Sequence, residues 1–311
     1  MHILITGANG FIGSHLTRAL LADTSPLAFT RLTLVDLSLD RIADDDRLIK
    51  ITGSFADDNL MEIAFSEPVD LIFHLASVPS GMAENNFALG VNVNIHGTMA
   101  LMDRLKEQAN TPAVVFASSI AVYGKPAAAV VTDDTAPTPN LSYGAQKVIG
   151  EALVADYTRR KWINGCSLRL PGIVARPPEP NGAVSIFFSD LIRNLSQGKP
   201  FTCPVSPGAK SWLMSVKCCV DNLLLAATLT GAPRQIWTLP AMHIAIEELV
   251  TEIDGLLPDA EVGDLITYAP DPWVEENFGS YPPLECPQAE AAGFHHDGSP
   301  LQLITNALET L

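Results

Sequence analysis

The segment Ile3-Leu-Ile-Thr-Gly7-Ala-Asn-Gly10-Phe-Ile-Gly13 decides the fold of this chain. A short apolar run over 2–6 predicts a strand, and a helical pattern begins near Gly13 and extends to about Ala22. Between them, the first glycine allows a tight turn, the second lets the backbone approach a pyrophosphate, and the third lets helix and strand pack closely. Free N–H groups at the start of the helix attract phosphate. We therefore expect a dinucleotide to bind here, in contact with Gly7, Gly10, Phe11, Ile12 and Gly13.

The rest of the first half alternates apolar runs with helical patterns. Further strands are predicted at 31–36, 48–52, 71–76, 113–117 and 166–170, and helices at about 57–65, 85–108 and 142–161. This alternation predicts an α/β fold of the Rossmann type, a doubly wound parallel sheet with helices on both faces. In such sheets, ligands bind beyond the carboxyl ends of the strands.

The second half has a different character. Prolines are frequent after Pro171, notably in 176–182, 200–208 and 281–287. We expect residues 1–175, with a returning strand near 234–240, to form the dinucleotide-binding domain. Residues 176–233 and 241–311 are expected to form a smaller, loop-rich substrate domain.

Composition limits the possible partners. The chain has 19 basic and 35 acidic residues, for a net charge of −16. Nucleic acids and anionic membranes require a positive field, so we expect neither as a partner, and no apolar run approaches the ~20 residues that span a bilayer. The five cysteines are odd in number and fit no metal-ligand spacing. We interpret them as reduced, buried thiols of a cytoplasmic protein without a bound metal.

An acidic residue ends the second predicted strand. Asp36 follows Gly13 by 23 residues, where a carboxylate accepts hydrogen bonds from the adenosine ribose. The same charge would repel a 2′-phosphate, and the next residue is Leu37 rather than an arginine. The sequence thus favours NAD over NADP, although Arg41, a few residues further on, keeps NADP open. Asp36 itself has the alternative role of starting the next turn.

A tyrosine and a lysine lie four residues apart in the helix predicted at 142–161. Tyr143 and Lys147 therefore project from the same helix face. A neighbouring ammonium favours the phenolate and lowers the tyrosine pKa from its usual value of about 10. Ser118 and Ser119 end the preceding strand, where a hydroxyl can hold a substrate oxygen. The combination predicts proton transfer by Tyr143, tuned by Lys147, next to a nicotinamide.

These motifs resemble a known superfamily. Gly7–Gly13, His74-Leu-Ala76, Ser118-Ser-Ile-Ala-Val-Tyr-Gly124 and Tyr143-Gly-Ala-Gln-Lys147 are similar to the extended short-chain dehydrogenase/reductases, which include the NAD-dependent epimerases and dehydratases. The similarity spans roughly residues 1–240. It implies a catalytic set of Ser119, Tyr143 and Lys147.

The resemblance also implies further cofactor contacts. Ser118 would contact the nicotinamide side through its backbone, Asn94 matches a helix asparagine near the cofactor, and Pro171 matches a loop beside the nicotinamide. The family usually has Gly-Asp before an apolar residue near the adenine, whereas this chain has Gly53-Ser54-Phe55. The residues expected near the cofactor on this basis are Ser54, Phe55, Leu75, Ala76, Asn94, Ser118, Tyr143, Lys147 and Pro171.

Two departures bear on the substrate. Nucleotide-sugar enzymes of the superfamily carry an Arg-Asp-aromatic motif, and the matching segment here is Lys210-Ser211-Trp212. Lysine cannot reproduce the bidentate grip of a guanidinium on phosphate. Dehydratases use Asp-Glu after the strand-end hydroxyl, where this chain has Ile120 and Ala121, which cannot transfer protons.

A narrower resemblance is to the D-erythronate dehydrogenase group. Its basis is His74–Glu84, Val131–Pro137, Ser142–Glu151 and Arg169–Gly172. It implies NAD-dependent oxidation of the 2-hydroxyl of a small sugar acid to the 2-keto acid. The candidate contacts for this anionic substrate are Ser77, Ser80, Ser119, Tyr143, Arg176 and Lys210.

Other interpretations stay open. They are a nucleotide-sugar 4-epimerase or related sugar-modifying enzyme, another small-alcohol dehydrogenase, and a dinucleotide sensor without catalysis. Arg176 and Lys210 have the alternative of being ordinary surface charges, and Ser80 of being a turn residue. The helical stretches at about 85–108 and 142–161 resemble those through which superfamily members pair, which implies a homodimer.

Overall fold

A computed structural model describes residues 1–126, 128–178, 184–257 and 262–309. The prediction of a proline-rich segment at 176–182 therefore lies partly outside the described residues. The described strands are β1 (His2–Thr6), β2 (Arg31–Asp36), β3 (Leu48–Thr52), β4 (Leu71–His74), β5 (Ala113–Ser119), β6 (Val131–Thr132), β7 (Asn164–Leu170), β8 (Gly172–Val174), β9 (Phe201–Cys203), β10 (Lys210–Ser215), β11 (Ile236–Thr238), β12 (Met242–Ala245), β13 (Ile266–Tyr268) and β14 (Leu284–Glu285).

The α-helices separate these strands along the chain. They are α1 (Phe11–Leu21), α2 (Asp58–Ala64), α3 (Ser80–Asn85), α4 (Phe87–Gly90), α5 (Thr98–Lys106), α6 (Ser142–Arg159), α7 (Phe187–Ser196), α8 (Val216–Thr228), α9 (Ile246–Leu256), α10 (Val262–Leu265), α11 (Pro272–Phe278), α12 (Pro287–Ala291) and α13 (Pro300–Leu308). A π-helix, Val91–Gly97, joins α4 to α5, and 3-10 turns occupy Ile120–Tyr123 and Val184–Ile186.

The central sheet of the described residues has seven strands in the order β11-β7-β5-β4-β1-β2-β3. β1 pairs in parallel with β2 on one side and with β4 on the other. The strand order reverses at this point, and in doubly wound sheets a ligand crevice opens there at the carboxyl ends of the strands. The predicted Rossmann-type α/β fold is confirmed, including the returning strand near 234–240, which is β11.

One predicted helix was partly wrong. A single helical stretch was expected over about 85–108, but α3 ends at Asn85 and the backbone leaves helical geometry at Asn86. The Asn86 side chain accepts a hydrogen bond from Leu89 N and so starts a new helix, as asparagine caps do. The π-helix then adds a wide turn before α5. Apolar periodicity does not distinguish a π-turn from an α-turn, which explains the error.

The described residues divide into two compact units. The first comprises 1–122, 141–169 and 220–237, and the second comprises 123–140, 170–219 and 238–311. These bounds differ from the expected domains because 123–140 and 170–175 belong to the second unit and 220–233 to the first.

Each unit has a core of its own. In the first, apolar side chains of the sheet strands pack with those of α2, α5 and α6. In the second, the buried cluster joins β8–β10, α7, α9 and α13.

Three further observations concern possible partners. All five cysteines are buried and free of disulfides. Within the ranges described above, no group of three or more His, Cys, Asp or Glu side chains is arranged to hold a metal. No helix in that part of the chain combines the length and apolar character needed to cross a bilayer.

Candidate active site

The glycine turn after β1 leaves no room for side chains. Gly7 has φ +75°, a conformation that favours glycine, and a Cβ there would lie 2.7 Å from Ala76 N. A Cβ at Gly13 would lie 2.1 Å from the Gly7 carbonyl oxygen, so the first turn of α1 packs directly on the strand end. Gly10 immediately precedes Phe11 and Ile12, which begin α1. The five predicted contacts of this turn are thus brought together in a backbone cradle.

Asp36 is fixed at the end of β2 beside this cradle. Its carboxylate accepts hydrogen bonds from Asn9 N at 2.8 Å and from Leu37 N at 2.6 Å. The Asn9 side chain also donates to Asp40 Oδ1 at 2.8 Å, which ties the glycine turn to the loop after β2. Each carboxylate oxygen of Asp36 has further lone pairs, and the side chain is partly exposed. Asp36 is therefore able to accept the hydrogen bonds of ribose hydroxyls.

Tyr143 and Lys147 lie one turn apart on α6. The Lys147 ammonium is 5.4 Å from the centroid of the Tyr143 ring and donates to the Ala117 carbonyl at 2.6 Å. Lys147 is 3% exposed, and this burial lowers its pKa, while Tyr143 and Glu151 counteract the shift. Among the described residues, none hydrogen-bonds the Tyr143 phenol oxygen. The phenol is thus held near a buried cation and keeps its hydroxyl available.

Ser119 ends β5 and is partly exposed. Its Oγ accepts a hydrogen bond from Ala121 N at 3.1 Å, which orients the side chain. This bond uses a lone pair and leaves the hydroxyl hydrogen able to donate to another oxygen. The geometry is compatible with a role in holding a substrate oxygen.

Ser118, which is expected to contact the nicotinamide side through its backbone, has a side chain with a partner of its own. It is 2% exposed, and its hydroxyl donates to Glu151 Oε1 at 2.5 Å. Arg169 binds the same carboxylate through Nε at 2.9 Å and through Nη2 at 2.8 Å. The sequence interpretation missed Glu151 and Arg169 as members of a network. The four-residue spacing from Lys147 to Glu151, which places both side chains on one helix face, is the sequence signal that could have indicated this network.

His74 was also missed as a partner of the site residues. It is fully buried, with Nδ1 2.6 Å from Thr6 Oγ1 and Nε2 3.0 Å from Thr98 Oγ1. Burial, with a contribution from the nearby Lys147 charge, lowers the pKa of His74 to about 3. The imidazole is therefore neutral and connects the end of β1, next to the glycine turn, with the start of α5.

Asn94 lies in the π-helix with its amide already bonded to the protein. Its Oδ1 accepts from Val78 N at 2.7 Å, and its Nδ2 donates to Val78 O at 3.0 Å and to Gln146 Oε1 at 2.6 Å. Both amide hydrogens are thus in use within the protein, and the expected position of Asn94 near the cofactor stays a prediction. Asn94 instead holds the segment that carries Ser77 and Ser80, both partly exposed, against α6.

Ser54 and Phe55, which are expected near the adenine, differ in how far their side chains are buried. Phe55 is buried, and its ring lies 5.0 Å from that of His74, so its side chain packs in the core while its expected cofactor contact stays a prediction. Ser54 remains partly exposed and accepts from Ala56 N at 3.1 Å. The backbones of Leu75 and Ala76 lie against Gly7, at the floor of the cradle.

Three predicted residues belong to the second unit. Pro171 is buried just before β8. Arg176 is partly buried, and its Nε donates to the Ile173 carbonyl at 3.3 Å. Lys210 begins β10 and is exposed. The expected contacts of these three residues with cofactor or substrate therefore stay predictions.

Comparison with known proteins identifies the family. A profile described as the NAD dependent epimerase/dehydratase family matches residues 3–221. The chain belongs to this family. Its cofactor is NAD, and it is an NAD-dependent oxidoreductase by its relatives. The glycine cradle and the available lone pairs of Asp36 fit this dinucleotide.

Two relatives align with almost the whole length of this chain. A D-erythronate dehydrogenase of Cupriavidus necator is 38% identical over 96% of this chain and 95% of its own. A D-erythronate dehydrogenase of Haemophilus influenzae is 30% identical over 99% of both chains. The structure of a nucleoside-diphosphate-sugar epimerase from Agrobacterium tumefaciens has a TM-score of 0.90 and 31% identity, covering 99% of this chain and 94% of that one.

Proposed function

We propose that this protein oxidises the 2-hydroxyl of a small, D-erythronate-like sugar acid to the 2-keto acid. The main support is the full-length similarity to two proteins named D-erythronate dehydrogenase. The arrangement of Tyr143 next to the buried Lys147 ammonium agrees with a hydroxyl-oxidising site, because oxidation requires a base for the hydroxyl proton.

Each residue of the proposed catalytic set has one task. Ser119 donates a hydrogen bond to the substrate oxygen, Tyr143 accepts the hydroxyl proton, and Lys147 stabilises the phenolate. NAD, when bound, supplies the two-electron oxidant. The glycine cradle, Asp36, Ser54, Leu75, Ala76 and Pro171 are the proposed contacts of the dinucleotide. The substrate loses its hydroxyl proton together with the two electrons of the oxidation. The reaction is therefore balanced when it releases reduced cofactor and one proton.

The substrate carboxylate requires donors. Ser77 and Ser80, which lie on either side of the Val78 backbone held by Asn94, are the proposed donors of the first unit. Arg176 and Lys210 are the proposed cationic contacts, and residues 176–233 with 241–311 are the proposed substrate domain. A partly exposed serine and an arginine offer geometry suited to a carboxylate.

We also propose that the protein works as a homodimer in the cytoplasm. Exposed apolar side chains lie on α4, α5 and α6, namely Phe87 at 64%, Met99 at 43% and Ile149 at 41% exposure. Such side chains on neighbouring helices are typical of a contact surface. Five reduced cysteines agree with a reducing compartment. Sedimentation of the purified chain tests the dimer, and a Met99→Lys variant is expected to sediment as a monomer.

A nucleotide-sugar epimerase is the second candidate. It is supported by the 31% identity and TM-score of 0.90 with the Agrobacterium tumefaciens protein. Lys210 in place of an arginine argues against it, because lysine cannot grip a diphosphate in the bidentate manner of a guanidinium.

Turnover separates the two candidates. Purified protein is incubated with NAD and a panel of aldonic acids of different length and stereochemistry, with UDP-sugars in parallel, while absorbance of the reduced nicotinamide is followed. We expect reduction of NAD with four-carbon sugar acids. The epimerase arm is analysed by chromatography of the sugars, because epimerisation produces no net reduced cofactor. Conversion of UDP-sugars alone would exclude the sugar-acid proposal.

Tyr143→Phe tests the proposed proton acceptor. The variant lacks only the phenol oxygen, so we expect NADH binding close to that of the parent and a turnover lower by about 10²-fold or more. Tyr157→Phe is the matched control, since Tyr157 is on the same helix and its hydroxyl donates to Asp103 instead. Full turnover in Tyr143→Phe would mean that another group accepts the proton.

A further inference from the structure

The last three residues of β5 are each held by a different bond. The Ala117 carbonyl accepts from Lys147 Nζ, the Ser118 hydroxyl donates to Glu151 Oε1, and Ser119 Oγ accepts from Ala121 N. Successive side chains of a strand point to opposite faces. Because the Ser118 side chain is anchored on one face of β5, the Ser119 side chain projects from the opposite face.

Glu151 is an anchor with little freedom. Its two oxygens accept from Nε and Nη2 of Arg169 on β7, and the two side chains are 3% and 7% exposed. A bidentate guanidinium–carboxylate pair fixes the orientation as well as the distance of both groups. Glu151 also lies one helical turn after Lys147, which lies one turn after Tyr143, on the buried face of α6. The anchor of Ser118 is thus rigidly connected to the helix that carries the phenol.

Stability alone does not account for this buried pair. Replacing a buried ion pair by well-packed apolar residues is often neutral or stabilising, so burial of the charges is not in itself a gain. The feature that apolar residues would not supply is the hydrogen bond from the strand end to a fixed carboxylate. That bond joins the strand of Ser119 to the helix of Tyr143.

We propose that Ser118, Glu151 and Arg169 form a positioning triad that sets the separation of the Ser119 hydroxyl and the Tyr143 phenol during the reaction. The triad touches neither substrate nor cofactor through its side chains and acts through the residues on either side of it. The proposal rests on the proposed roles of Ser119 and Tyr143.

Ser118→Ala is the informative variant. Glu151→Gln would remove the carboxylate that pairs with the buried Arg169 guanidinium and strongly destabilise the fold, whereas Ser118→Ala keeps the ion pair complete. Misplacement of reacting groups by less than an ångström lowers the rate of chemistry more than binding. We expect kcat to fall about tenfold, with the KM of the sugar acid and the Kd of NADH within about twofold of the parent.

Two further serine variants complete the series. Ser167→Ala is the matched control, because Ser167 is buried on β7 and its hydroxyl has no partner among the described residues. It removes the same atom from a neighbouring strand and is expected to keep the parent kcat. Ser118→Thr retains the hydroxyl and is expected to restore kcat to within about threefold of the parent.

The outcomes are distinguishable when Tyr143→Phe is measured beside them. A kcat of Ser118→Ala equal to that of Ser167→Ala, with turnover lost in Tyr143→Phe, overturns the triad and leaves the proposed function intact. Turnover retained in Tyr143→Phe contradicts the proposed function and removes the basis of the triad as well. A tenfold loss in Ser118→Ala that Ser118→Thr restores, with unchanged KM, supports it.

Discussion

At Gly7 and Gly13 the chain has no room for a Cβ, whereas around Lys147 it buries charged side chains. At the first place, the cofactor corner, a Cβ on Gly13 would lie 2.1 Å from the Gly7 carbonyl oxygen, and the Asp36 carboxylate accepts a hydrogen bond from Asn9 N. At the second place, the catalytic corner of Ser119, Tyr143 and Lys147, the ammonium is bonded to β5 and backed by a carboxylate one turn away. The difference teaches that the cofactor corner depends on the absence of Cβ atoms at its glycines, whereas the catalytic corner depends on buried charges that hold one another in place.

The largest effect is expected in the cofactor corner. Gly13→Ala places a methyl 2.1 Å from the Gly7 carbonyl oxygen, so the strand and helix must separate. We expect NADH binding, measured by fluorescence titration, to weaken by at least about 100-fold, because separating α1 from the strand displaces the helix N-terminus that receives the pyrophosphate. Gly208→Ala is the control, since a Cβ there has no neighbour within 4 Å. Binding within about threefold of the parent in Gly13→Ala would show that this corner tolerates side chains.

The second prediction concerns His74, which connects the end of β1, beside the cofactor corner, with the start of α5. Its pKa is about 3 when folded and 6.5 in the unfolded chain, so acid favours the unfolded state. The stability supplied by the neutral imidazole is complete above pH 6.5 and is lost as pH falls toward 3. Between pH 7 and pH 5 we expect the parent to lose about 2 kcal/mol more unfolding free energy than His74→Gln. Urea unfolding at both pH values measures this, and equal losses would contradict it.

The third prediction separates charge from shape in the cofactor corner. In Asp36→Ser the carboxylate that would repel a 2′-phosphate is gone, while the glycines of the cradle are retained. We expect the ratio of NADPH to NADH dissociation constants to fall about tenfold. Asp44→Ser, in the same loop, removes an exposed charge that pairs with Lys50 and should leave the ratio unchanged. An unchanged ratio in Asp36→Ser would assign cofactor choice to another group.

The smallest effect is expected at the end of α6, beyond the catalytic corner. Lys161 has φ +62°, a conformation that glycine adopts without strain. Lys161→Gly should raise the unfolding free energy by about 0.5–1 kcal/mol and leave kcat unchanged. Arg160→Gly, at φ −77°, is the control and should destabilise the helix. A change of kcat in Lys161→Gly would mean that the catalytic corner responds to the far end of its helix.

Much of the fold could be predicted because its signals are local. The strands at 2–6, 31–36 and 48–52 match the structure, since each is a short apolar run bounded by turn residues. The catalytic set was available from the spacing of Tyr143 and Lys147 and from the strand-end serines. Whether those residues have the proposed roles is a matter for the experiments above.

The remaining features depend on contacts that no local pattern contains. Ser118 is predicted to contact the cofactor through its backbone, and its hydroxyl bonds Glu151, 33 residues away. The amide of Asn94 bonds Val78 and Gln146. The ring of Phe55 packs beside that of His74. In each case the side chain has a tertiary partner that no local pattern indicates, while the predicted cofactor contact stays a prediction.

The wide turn at Val91–Gly97 makes the length of this segment as important as its residue types. A π-helix holds one residue more than an α-helix of the same rise, and each residue of an α-helix corresponds to about 100° of rotation. Deleting a single residue here would let the helix rewind without a break and would swing Asn94 away from the Val78 backbone. Such a shortened chain would keep its helical content while the loop of Ser77 and Ser80 came free of α6.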